Sequence, residues 1–422
     1  MTELPAPHHG AGEARCLGRV VGGSLSRGLE VRIDDGVSVE EVRVGTNVVI
    51  TGEKLRFFGL VTDVTLASAN PQLAQAPPSA NPFVARVLSG TSLYGQLRVL
   101  PQLVLPSDAT TLLEGPQRVK TVPSHGATVR MASAQDMELV FGQEDERHFT
   151  IGTPLDMETK VCLDLEELVK RSNGIFGKTG TGKTFLTRIL LSGILQKGVA
   201  ANLVFDMHSE YGWQASDPER KRIVKGLKQL FPSRVAVFSL DEKSSQRRGV
   251  SPDGLVEIGY EEIEPEDMAL LRQTLNLTDL AVDAVYSLER RFQRGWLEKL
   301  LSLGEGDEAK TTLSGLNISD MTYRNLRRGV EKLRRLPFIA PHPRGKAVEE
   351  ILGNLQRGIS VVLEFGSYDD LTAYILVANV LTRRIYERYR ERTEQAQAEG
   401  KALPKPLVIT IEEAHRFLNP EV

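Results

Sequence analysis

Residues 177–184 read Gly177-Lys178-Thr179-Gly180-Thr181-Gly182-Lys183-Thr184 and satisfy G-x-x-x-x-G-K-[ST] at every specified position. No other stretch restricts the fold as much. Such a loop works only between a strand and the first turn of a helix. There its glycines let successive backbone N–H groups turn inward, and the helix N-terminus adds a partial positive charge. The flanks comply: GIFG (174–177) reads as a short strand. From Thr184 to Leu195 a helix is expected, with Leu186, Ile189, Leu190 and Ile194 on one face. The loop is therefore a phosphate cradle for ATP. Lys183 is placed to reach the β- and γ-phosphates, and the Thr184 hydroxyl to hold Mg²⁺.

The rest of the second half suits this reading. ANLVFD (201–206), RVAVFSL (234–240), ISVVLEF (359–365) and PLVITIEEAH (406–415) are apolar runs separated by helical stretches, the pattern of a parallel α/β sheet. The last run ends in Glu412 and Glu413. The first carboxylate is expected at the Mg²⁺ shell, although Asp is commoner there and Glu is longer. The second is expected to polarise the attacking water. Asp206 closes the strand after the P-loop helix and begins Asp206-Met207-His208-Ser209-Glu210-Tyr211-Gly212. Asp206, His208 and Glu210 then lie near the nucleotide, or else the segment is a strand-to-loop turn with polar surface residues. Lys183, Glu413, Glu412 and Asp206 are the expected catalytic set.

Before residue 150 the periodicity differs. LEVRI (29–33), TNVVITG (46–52), LRFFGLVTDV (55–64) and YGQLRVLPQLVL (94–105) read as short strands separated by Gly and Asp turns, which suggests a small barrel. Residues 67–82 are rich in Pro, Ala and Gln and read as a long surface loop. Between 262 and 345 strands vanish, and a helical insertion carries Arg324, Arg327, Arg328, Lys332, Arg334 and Arg335 on its last helix. That run is either a solvated face or a surface for DNA or another partner.

The resulting expectation is a multi-domain chain, with an N-terminal small β-barrel and a RecA-like α/β P-loop core carrying a helical insertion. Its parts are a disordered N-terminus (1–13), the barrel (14–145), the core's first part (146–260), the insertion (261–345) and the core's second part (346–422). With 422 residues and a net charge of −3, bulk charge carries no nucleic-acid signature, so any DNA contact must be local. Cys16 and Cys162 form neither a zinc-ligand pattern nor a disulfide framework. No leader or membrane span is legible, and a cytoplasmic protein is expected.

Several segments together resemble the HerA family, within the group that includes FtsK-type translocases. LGRVVGGSLSRGLEVRI, VGTNVVI and FFGLVTDV look like its HAS-type barrel. LDLEELVKRSNGIFGKTGTGKT looks like the entry to its P-loop, VFDMHSEYG like its Asp-x-His-x-Glu-Tyr segment, and IEEAHRFL like its acidic strand. The resemblance implies a homohexameric ring that hydrolyses ATP to move along double-stranded DNA, often with a NurA-type nuclease in processing DNA ends for repair. It also favours Asp206 as a site residue. Because Val422 follows Glu413 so closely, the family's γ-phosphate sensor and arginine finger are expected beyond it, and the chain reads as a fragment. Two other functions share these motifs: an ATP-binding scaffold or regulatory subunit with little turnover, and a conjugation- or secretion-type motor.

Overall fold

The structure is a computed structural model and describes residues 15–69, 93–106, 115–154, 159–178, 180–217, 222–304 and 306–416. The N-terminal tail 1–13, most of the 67–82 loop, and Thr179 lie outside the described residues. Two compact units result, Met1–Asp164 and Leu165–Val422.

The first unit is built on seven antiparallel strands: β1 (Cys16–Ser24), β2 (Gly28–Ile33), β3 (Asn47–Thr51), β4 (Leu55–Ser68), β5 (Leu93–Pro106), β6 (Gln117–Arg118) and β7 (Thr128–Met131). Their order is β2-β1-β7-β3-β4-β5-β6, and β2 also pairs with β5, so six strands close into a barrel and β6 hangs on its rim. Period-two alternation sets the interior. Leu29, Val31 and Ile33 point inward while Glu30 faces water, and Val48, Ile50, Phe57, Val61, Leu97 and Val129 fill the rest. Gly18 is required by close approach, because a Cβ there would sit 1.9 Å from the Arg32 carbonyl oxygen on β2.

The adjacent Phe57 and Phe58 of β4 point to opposite faces, and Phe58 needs a second cover. Helix α1 (Ala134–Phe141) supplies it: Phe58, Val49, Ala132 and Met137 form a small separate core, with Val161 packed against it. The helix start is well fastened. Ser133 and Asp136 form a reciprocal cap, and Arg130 pairs with Asp136, holding its carboxyl down at about 2 although burial opposes the shift. A hairpin, β8 (His148–Gly152) with β9 (Val161–Asp164), follows, so this compact unit continues past the expected barrel limit at 145.

In the second unit, β10 (Ala201–Asp206), β11 (Val235–Ser239), β12 (Gly254–Leu255), β13 (Ser360–Glu364) and β14 (Leu407–Ile411) form a parallel sheet. Its order is β12-β11-β13-β10-β14. Strands β10, β11 and β13 are buried along their whole length, the mark of a sheet covered on both faces. Helix α2 (Lys183–Lys197) covers one face through Leu191 and Leu195 against Val204, Val237 and Val362. The other face, with Leu203, Phe205, Phe238, Val361 and Leu363, packs against apolar side chains drawn from the Ile263–Ile385 stretch in one continuous core.

That core absorbs the insertion. Helices α3 (Pro265–Leu270), α4 (Asp279–Phe292), α5 (Trp296–Ser302), α6 (Asp307–Gly315) and α7 (Asp320–Arg334) pack around Trp296, whose indole N–H donates to the Ile263 carbonyl at 3.0 Å. A two-residue parallel ladder, Ile258–Gly259 with Ile339–Ala340, closes its base. Helix α8 (Ala347–Gln356) leads to β13, and α9 (Leu371–Glu399), 29 residues long, returns the chain to β14. Asn379 and Arg383 of α9 donate to Asp267 of α3, a fully buried carboxylate that joins the insertion to the sheet domain. Among the described residues no helix is long and apolar enough to cross a membrane.

Gly174–Gly177 form no strand. A strand exists only with a ladder neighbour, and among the described residues none lies beside this segment; Phe176 is 94% exposed. The outer strand β14 is correspondingly only half-buried.

Candidate functional site

The P-loop adopts the geometry its glycines were expected to permit. Gly180 and Gly182 have φ of +81° and +88°, in the left-handed region, and Gly182 caps α2 without a side chain. The first N–H groups of that helix therefore have no side-chain acceptor and remain available to an anion. The loop is tied to itself through one oxygen: the Thr181 hydroxyl and amide and the Lys183 ammonium all donate to the Lys178 carbonyl, at 2.6, 3.2 and 3.3 Å. Lys183 and Thr184 stand in the first turn of α2, half-exposed, while Gly177, Lys178, Gly180, Thr181 and Gly182 are exposed. Thr179 is outside the described residues. The apolar stripe of α2 is only partly used: Leu191, Ile194 and Leu195 are buried, while Leu186, Ile189 and Leu190 are half-buried.

The sheet register assembles the acidic residues. Asp206 lies opposite Glu364 across β10 and β13, and Phe205 lies opposite Ile411 across β10 and β14. Hence the strand ends put Glu364, Asp206 and Glu412 side by side, about 5 Å from strand to strand. They occupy the carboxyl edge of a parallel sheet, where α/β proteins bind ligands.

Each of the three carboxylates is handled differently. Glu364 has no exposure and is neutralised by Arg248, whose guanidinium reaches both its oxygens. Asp206, also fully buried, accepts the Glu210 and Tyr211 amides at 2.9 and 2.8 Å. Its carboxylate therefore shapes the His208–Gly212 turn, where Ser209 holds a positive φ of 56°. Burial pushes Asp206 up to about 6 against the pull of those amides. Glu412 accepts the His208 amide, but its Oε2 is buried without a hydrogen-bond partner. Burial, then the charges of Asp206, Glu210 and Glu413, push it up to about 8. Glu413 is different again. It has a φ of +49°, its side chain is 34% exposed, and it lies 3.2 Å from His415 Nδ1.

Tyrosines join the parts. Tyr211 hydrogen-bonds Thr187 of α2, and Arg188 stacks over its ring at 5.8 Å, which ties the turn after Asp206 to the P-loop helix. The Tyr374 hydroxyl stands 3.2 Å from the Phe205 carbonyl and 3.4 Å from that of Glu412.

Sequence reasoning passed over Glu364, Arg248 and Tyr374. A signal for Glu364 existed, since it interrupts the apolar run of ISVVLEF at the same strand end as Asp206. Arg248 carried none, because its pairing depends on the sheet. No cluster of three or more His, Cys, Asp or Glu able to hold a metal occurs among the described residues. A Mg²⁺ bound through phosphates and water needs only one or two protein ligands. The orphaned Glu412 Oε2 fits that role.

Comparison with known proteins gives three findings. A family model described as "Helicase HerA, central domain" matches residues 149–385, more than half of the chain. The HAS barrel domain matches residues 17–88. The DNA double-strand break repair helicase HerA of Pyrococcus furiosus is 22% identical over 320 residues, covering 69% of this chain and 55% of that protein. The chain thus spans about half the length of the curated relative it matches.

Proposed function

This chain belongs to the family of the HerA helicase central domain, and we propose from that premise that it binds ATP with Mg²⁺ and hydrolyses it to move double-stranded DNA. The observation that carries the proposal is the division of labour at the strand ends. Glu412 keeps a buried oxygen without a partner, while its neighbour Glu413 stands open to water. In this reading the P-loop amides and Lys183 hold the phosphates. Thr184 and Glu412 are the Mg²⁺ ligands, and the ion when bound offsets charge on the phosphate oxygens. Glu413 orients the attacking water and accepts its proton. Asp206 acts through the turn it holds, so it is a positioning residue.

The resemblance and the relative's name support the wider proposal: a homohexameric cytoplasmic ring acting in DNA end processing or repair, with a NurA-type nuclease as partner. The proposed parts are a barrel over 14–145, a core over 146–260 and 346–422, and an insertion over 261–345. A second reading, nucleotide binding with little turnover, is favoured by Gly174–Gly177 lying outside the sheet.

Steady-state ATPase of this chain, with and without duplex DNA, beside Lys183→Ala separates the two. The motor reading expects a DNA-stimulated rate that the variant loses. Nucleotide bound without turnover would favour the scaffold, and turnover indifferent to DNA at low salt would remove DNA as the substrate.

A further inference from the structure

Helix α7 is divided lengthwise. Tyr323, Leu326, Val330 and Leu333 are buried in the core, so Arg324, Arg328, Lys332 and Arg335 emerge together on the opposite face. Spaced three or four residues apart, they form a row about 16 Å long. Arg327 is not part of it: its guanidinium donates to the Leu303 carbonyl at 2.7 Å and to the Tyr323 hydroxyl at 3.0 Å, a packing role. Lys332 also leans inward, 3.4 Å from the Leu275 carbonyl. Arg324 pairs with Asp320, but both are well exposed, 65% and 71%, and such a pair holds the side chain only weakly. No carboxylate among the described residues pairs with Arg328 or Arg335.

The same molecule contains a helix on which more of the arginines are paired, with Arg392 left without a carboxylate partner among the described residues. On α9, Arg383, Arg384, Arg388 and Arg390 each pair with a carboxylate. A charged helix face that serves solubility is laced with both signs in this manner. The α7 face also bears Asp320 and Glu331, paired with Arg324 and Arg334, yet it keeps an excess of cations in a chain whose net charge is −3.

We propose that this face, through Arg324, Arg328 and Arg335, is a docking surface for the phosphate backbone of duplex DNA. A straight row of cations complements a polymer that carries anionic charge along its length, and guanidinium is the side chain best suited to phosphate oxygens. Sequence readout is not expected, since phosphate contacts position a protein without discriminating bases. The inference rests on the motor reading for its choice of polyanion, and it adds a contact surface on the insertion, away from the nucleotide.

The test uses the full chain without nucleotide and a fluorescent duplex of about 30 base pairs, with anisotropy followed across a salt series. The triple variant Arg324→Ala, Arg328→Ala, Arg335→Ala removes three exposed cations, and Arg388→Ala, Arg390→Ala, Arg392→Ala removes three exposed cations from α9. Each lost phosphate contact lowers the salt slope by about 0.9. The α7 variant is expected to lose about 2–3 units of slope and at least about tenfold in affinity at low salt. The α9 variant is expected to keep both, and both variants should melt like the parent. A wild type that binds duplex, with an α7 variant indistinguishable from it, overturns this surface and leaves the motor reading intact. A wild type that fails to bind duplex at low salt overturns both. Equal loss of binding to duplex and to polyglutamate would overturn the assignment to DNA and identify a general acidic-partner surface.

Discussion

At the scale of single residues, the proposed site rests on two adjacent glutamates made unlike by burial. Glu413 is exposed enough to meet water, so Glu413→Gln is expected to keep nucleotide binding and lower turnover by about 10² or more. Single-turnover ATPase beside a binding titration checks this, and unchanged hydrolysis would show the base to be elsewhere. Glu412 predicts a pH effect on stability. Its value in the folded chain is about 8 against an ordinary 4.5. Between those values the folded chain holds a proton that the unfolded chain has released, so stability falls as pH rises through the window. Asp206, raised to about 6, acts in the same direction over a lower window. Without nucleotide or metal, Glu412→Gln should match wild type near pH 5 and melt above it near pH 8.5, by about 2–4 °C for each kcal/mol of relief. A difference that does not grow with pH would mean that the carboxylate is already compensated.

Among the elements, some were legible and others were not. The barrel strands could be read because Leu29, Val31 and Ile33 alternate with Glu30 and Arg32, and one buried face imposes a period of two. GIFG was misleading because apolar residues entering a P-loop look like a strand whether or not a neighbouring ladder exists. The two-part use of β4, Phe57 inward and Phe58 under α1, was invisible in a run of consecutive apolar residues. The barrel also supplies a sharp test. Gly18→Ala would push a methyl group into the Arg32 carbonyl and force β1 and β2 apart, at a cost of about 2–4 kcal/mol. Chemical denaturation checks it, and a loss below about 0.5 kcal/mol would show that the strand pair yields easily.

For the molecule as a whole, the two units hold separate hydrophobic cores, the largest in each being the barrel interior and the cluster spanning sheet, insertion and α9. Stabilisation by ATP with Mg²⁺ should therefore act on the second unit, reaching about 2.7 kcal/mol when ligand is at a hundredfold its Kd. Calorimetry is expected to show the nucleotide raising the transition of residues 165–422, an effect absent in Lys183→Ala, while Gly18→Ala lowers the transition of the barrel unit. A nucleotide shift that survives in Lys183→Ala would place the binding site away from the P-loop.

The phosphate cradle, the order of barrel and α/β core, and the two glutamates were determined by the sequence, because each is a local pattern. Glycines specify a turn, periodicity specifies a buried face, and an apolar run that ends in acids specifies a strand edge. Only the tertiary structure decided what surrounds those acids. Asp206, Glu364 and Glu412 come from segments about 50 to 210 residues apart, and only parallel register brings them side by side. Their different surroundings follow from which of them meets Arg248, which meets backbone amides, and which is buried with an oxygen left over. The exposed arginine row of α7 was decided in the same way, since a charge run in sequence does not reveal which charges the core and neighbouring carboxylates will claim.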